Sequence, residues 1–162
     1  MMGLEPTTFC MASRRSSRLS YIREGAQYSR GSRSSLALGE GLRVEFDRHT
    51  LVLLVRPPDA PELPEEELDR IQDAHLANQA RLGDEGYVIA AGPFTDQDDE
   101  RLRGVAVLAC DPGKARELYA NDPAVKAGRL AVEIVTWMTP VGNVRFEQVA
   151  RPRSLAEAHG DG

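Results

Sequence analysis

The chain has 162 residues, 41% of them hydrophobic and 28% charged, which suits one domain with length to spare. No apolar run in it approaches the roughly 18 residues of a membrane span. The net charge of −5 hides a split: residues 1–43 hold seven Arg and three Glu (+4), and residues 44–162 hold the remaining 13 basic and 22 acidic side chains (−9). An acidic domain without a basic stripe argues against nucleic acid as its partner. Cys10 and Cys110 fall on opposite sides of the split, so the domain has one cysteine, which excludes a disulfide framework and fits a cytoplasmic location.

Residues 1–43 are rich in Ser, Arg and Gly and carry almost no apolar periodicity. They lack the apolar core of about 7–15 residues that a signal peptide needs. The string from Gly3 to Ser17 resembles the spurious peptides read from the antisense strand of a transfer-RNA gene. On that expectation residues 1–43 are a mis-called extension and the chain starts at Val44; the alternative is a disordered tail. N-terminal sequencing of the native protein separates the two.

The domain is expected over residues 44–142. Thr50–Arg56 is an apolar run stopped by Pro57-Pro58, the pattern of a strand buried on both faces. After a proline-rich loop, Glu65-Glu66-Glu67 opens a helix with carboxylates at the positive end of its dipole. Leu68, Ile71, His75 and Leu82 fall on one stripe of that helix, and either Gly83 or Gly86 can take the left-handed conformation that stops it. Tyr87–Ala91 reads as a second strand ended by the Gly92-Pro93 corner. The charged segment 95–103 reads as an exposed loop and Gly104–Cys110 as a third strand. Asp111 caps a helix over residues 112–120, which Asn121-Asp122-Pro123 breaks. Leu130–Met138 is a fourth strand, and residues 143–162 read as a flexible tail.

This order is the split βαβ, ferredoxin-like pattern (βαββαβ) of the α+β class: a four-stranded antiparallel sheet with two helices on one face. The strands are apolar on both faces, so the second face needs a cover. A homodimer packing sheet against sheet supplies one.

The residues His75-Leu76, Leu82, Gly86, Ala91-Gly92-Pro93-Phe94, Arg103-Gly104, Asn121-Asp122-Pro123 and Ala127-Gly128, with a last strand carrying Trp137, resemble the YciI-related (YCII) family over roughly Thr50 to Met138. The family resemblance implies the dimeric αβ-barrel type of fold and a cleft centred on a His/Asp pair. One branch contains chloromuconolactone dehalogenases. A sister branch reads Asp-Gly-Pro-Phe at the corner, so this chain sits nearer the stand-alone YciI type. Carried onto these positions, the pair is His75 with Asp122, and Gly92 and Pro93 form one wall of the cleft. Asp84 is a rival carboxylate, but as a helical residue nine positions on it lies about two and a half turns away. Asn78, one turn beyond His75, is a candidate ligand donor.

Each residue also has a plainer reading. His75 could be a core histidine bonded to a backbone carbonyl, Asp122 a turn former before Pro123, and Gly92-Pro93 a structural corner. No metal is expected, because His49, His75 and His159 share no ligand spacing, and no cofactor motif is present. Cys110 reads as a small buried hydrophobe. Two functions remain: a small cytoplasmic enzyme acting on an organic acid or lactone through His/Asp acid–base chemistry, or a non-catalytic ligand-binding or accessory protein on the same fold.

Overall fold

The computed structural model describes residues 33–37, 43–147 and 149–160. In chain order these form β1 (Ser34–Ala37), β2 (Arg43–Val55), α1 (Glu65–Asp84), β3 (Val88–Pro93), β4 (Leu102–Leu108), α2 (Pro112–Ala120), the short α3 (Pro123–Lys126), β5 (Ala131–Pro140) and α4 (Leu155–His159). All strand pairs are antiparallel: β2 is flanked by β5 on one edge and β4 on the other, and β3 lies outside β4. The four main strands therefore stand in the order β5-β2-β4-β3 expected of a ferredoxin-like sheet.

A fifth strand is an addition to the expected four. β2 begins at Arg43, not Thr50, because Val44 to Phe46 already alternates with charged neighbours as a strand with one wet face does. Its first residues extend beyond β4, and β1 pairs with that free edge, from Ser34 against Phe46 to Ala37 against Arg43. Residues 34–37 lie inside the segment read as an extension; the rest of that reading, residues 1–32 and 38–42, falls outside the described residues.

Register decides which side chains meet. Val52 pairs with Ala106 on one side and Ile134 on the other, and Leu54 pairs with Gly104 and Val132. These positions turn towards the helices, where Val52, Leu54, Leu82, Val88, Ala106, Leu108, Ala115 and Tyr119 form the core. Each large apolar side chain removed from water there contributes about 1.5–3 kcal/mol. The opposite face carries Leu51, Leu53, Val105 and Val135, none fully covered, with Trp137 at its edge.

Several boundaries differ from expectation for identifiable reasons. β3 runs through Gly92-Pro93 because it is an edge strand, where a proline without an N–H costs no ladder bond. β4 spans Leu102–Leu108 and ends two residues before Cys110, and β5 continues to Pro140 opposite the early part of β2. A Cβ on Gly104 would meet the Gly92 carbonyl oxygen at 2.7 Å, so the missing side chain at Gly104 lets β3 and β4 close tightly at the corner. Gly86, at φ 81°, supplies the left-handed residue after α1, while Gly83 stays helical.

The C-terminal segment, expected to be loose, lies along α1. Leu155 N–H donates to Asp73 at 2.7 Å, Arg153 pairs with Asp84 at 2.7 Å, and the Arg151 guanidinium occupies the space a Cβ on Gly83 would fill. Among the described residues, no helix is long and apolar enough to cross a membrane.

Candidate functional site

Two elements build the site. α1 presents His75, Asn78, Gln79 and Leu82 on its inner side, and the α2–α3 junction presents Asp122. Asp122 is fixed locally: it is the N-cap of α3, with Pro123 in the first helical position. One carboxylate oxygen, Oδ1, accepts from Ala124 N–H at 3.0 Å and more weakly from Val125 N–H at 3.4 Å.

The same carboxylate faces His75. Nδ1 of His75 lies 2.9 Å from both Asp122 oxygens, and the Asn78 amide donates to Oδ2 at 2.9 Å. Asp122 is fully buried, and only 8% of the His75 side chain is exposed. Burial alone would raise the Asp122 carboxyl. The hydrogen bond and charge of His75, with the Asn78 and Ala124 donors, outweigh it and hold the group below the usual carboxylate range.

An ionised carboxylate against Nδ1 requires a proton on Nδ1. In the neutral ring the lone pair is then on Nε2, which has no hydrogen-bond partner among the described residues. This arrangement can take a proton at Nε2, and once charged can give it back. Asp122 holds the ring and is sealed from solvent, which leaves Nε2 as the ring nitrogen without a protein partner among the described residues.

The other expected site residues fall out as follows. Asn78 spends an amide N–H on Asp122 and accepts from Arg81 at 2.9 Å with its oxygen, so both ends of its amide have protein partners. Asp84 is exposed and paired with Arg153. Gly92 and Pro93 are exposed at the end of β3, opposite Val105 and Gly104, and no hydrogen bond links them to the His75–Asp122–Asn78 group. Burial, with a smaller push from Asp111, raises the Cys110 thiol, the reverse of an activated nucleophile. Among the described residues, no group of three or more His, Cys, Asp or Glu could hold a metal ion.

Sequence reasoning missed one buried polar pair beside the site. Tyr119 O–H donates to Gln79 Oε1 at 3.0 Å, and burial holds the phenol protonated well above its ordinary range. The spacing contained a signal, since Gln79 stands one turn beyond His75 and Tyr119 three residues before Asp122.

Comparison with known proteins adds three findings. No curated protein matches the chain. Among solved structures, the chain is similar to the 5-chloro-2-hydroxyhydroquinone dehydrochlorinase of Burkholderia phenoliruptrix AC1100, in complex with 2,5-dihydroxybenzoquinone. The two share 21% identity at a TM-score of 0.37, over 55% of this chain and 90% of that one. The family model of the YCII-related domain matches residues 50–139, from the buried part of β2 to the last residues of β5. That match spans more than half of the chain, and the protein belongs to the YCII-related domain family.

Proposed function

We propose that the protein is an enzyme acting on a compact organic acid or lactone, with His75 as general acid/base and Asp122 as its orienting partner. The observation that supports this most directly is the division of labour on the imidazole. Nδ1 is held by a buried carboxylate at 2.9 Å, and Nε2 has no protein partner among the described residues. The partner is a buried charge and not the backbone carbonyl that would satisfy a plain core histidine, and it decides which ring nitrogen carries the proton. In an elimination, Nε2 takes the proton from the carbon beside the bond to be broken. The C–H electron pair becomes the new double bond, and a halide or carboxylate departs with the other pair.

The half-covered sheet face supports a homodimer, sheet against sheet, as the working form. Leu51, Leu53, Val105 and Val135 would be buried by it. Light scattering at micromolar concentration checks this: a dimer is expected, and a strict monomer removes the proposal.

The test of function is a thermal-shift screen of small organic acids and lactones on the wild type and His75→Ala, followed by turnover of each binder. The wild type is expected to convert a binder that His75→Ala converts roughly 10²–10⁴-fold more slowly. Full turnover by His75→Ala overturns the role of His75 as general acid/base. Binders that neither protein converts favour a ligand-binding or accessory protein.

A further inference from the structure

Asp122 has four donors: His75 Nδ1, Asn78 Nδ2 and the Ala124 and Val125 N–H groups. Three of the four belong to the pair itself or to the cap of α3; the Asn78 contact requires a separate explanation. Asn78 is half-buried on α1, less than one turn after His75, and its amide orientation is dictated by chemistry. Its Nδ2 faces a carboxylate at 2.9 Å, and its Oδ1 faces the Arg81 guanidinium at 2.9 Å. Rotating the amide by half a turn would set oxygen against oxygen and N–H against N–H, so only one orientation satisfies both neighbours. Arg81 is anchored on its other side by Glu85, with which it makes an exposed ion pair.

We infer that Asn78 is a positioning residue: its amide, oriented by Arg81, fixes Asp122 as an ionised acceptor aimed at His75 Nδ1, leaving Nε2 as the one nitrogen offered to a ligand. The inference rests on the proposed role of His75 but concerns a residue that touches no substrate. Oδ1 is tied down by the backbone of α3, and without Asn78 the other oxygen would depend on His75 alone. The carboxylate would then lose a donor that favours its charged form and a contact that limits its rotation. Asn78 thus links the solvent-facing side of α1 to the sealed pair.

The test needs no ligand, so its failure is separable from failure of the catalytic reading. The Asp122 side-chain carboxyl carbon is followed by NMR through acid titration in the wild type, Asn78→Ala and Asn78→Asp. In Asn78→Ala the Asp122 midpoint is expected to rise towards the ordinary carboxylate range. Asn78→Asp keeps the volume but replaces the donor with a second acid, so a larger rise is expected. Loss of a contact that only stabilises the fold would lower the melting temperature and leave this midpoint in place. An unmoved midpoint in a folded Asn78→Ala overturns the inference. If neither Asn78 variant folds, Arg81→Ala, a change at an exposed position, decides: a smaller rise supports the inference and no rise overturns it.

Discussion

His75 and His49 occupy opposite sides of the same sheet and show what a partner does to an imidazole. His75 lies in the helix layer with a fully buried carboxylate 2.9 Å from Nδ1. His49 lies on the open face, its ring centroid 5.7 Å from that of Trp137 and 5.4 Å, edge-on, from that of Phe146. Its Nε2 is buried with no hydrogen-bond partner among the described residues. The first ring is oriented by charge and hydrogen bonds; the second is held by packing. A histidine near an exposed tryptophan attracts notice, but only the oriented ring has its proton placed for it.

That contrast can be broken most forcefully at Asp122. Asp122→Ala removes the partner of a buried histidine and the cap of α3 together, and should cost about 3–5 kcal/mol in urea unfolding. A loss below about 1 kcal/mol would mean that the pair does little for the fold. Asp122→Asn keeps an acceptor for the Ala124 N–H but loses the charge, and should cost less.

The pH dependence follows from the same group. The Asp122 carboxyl titrates lower in the folded protein than in the unfolded chain, so it contributes stability that is fully present above about pH 4. That contribution is lost as the pH falls through the folded-state midpoint. Urea midpoints measured from pH 7 downwards should therefore fall in acid, and the fall should flatten in Asp122→Asn. Equal acid limbs for the two proteins would contradict the assignment.

His49→Phe is the mirror experiment. It removes a buried nitrogen that has no partner and keeps the aromatic packing, so stability should be unchanged or rise by up to about 1 kcal/mol. Binding and turnover of any ligand found should also be unaffected. A loss of activity like that of His75→Ala would place the site on the open face. The smallest effect is expected at Arg153→Ala: its ion pair with Asp84 is exposed on both sides, and thermal unfolding should barely move.

How much of this was legible depended on the range of the interaction. The helical stripe through Leu68, Ile71, His75 and Leu82 was readable from period alone, and Asp111-Pro112 marked a helix start. Asp122-Pro123 read only as the break after α2, and the short α3 that Asp122 caps was missed because four residues show no period. The meeting of His75 with Asp122 was not a matter of spacing, since 47 residues separate them. It came from a family resemblance, which carries tertiary information that local pattern lacks. Asn78 was legible as a polar residue near the histidine, but its partner was not, because its direction depends on where α3 docks. The early start of β2 was missed because residues 43–49 alternate with charges, whereas the apolar run from Thr50 stood out. The C-terminal segment read as loose because its ties to Asp73, Gly83 and Asp84 join residues about seventy to eighty positions apart in sequence.

The central claim is that Asp122 holds the proton on Nδ1 and leaves Nε2 free. Nitrogen-15 NMR of the His75 ring in the neutral form measures this directly. The Nδ1–H tautomer is expected in roughly tenfold or greater excess, given the strength of a hydrogen bond to a buried charge, and that excess should be lost in Asp122→Ala. A predominance of the Nε2–H tautomer, or a ratio that Asp122→Ala leaves unchanged, would contradict it.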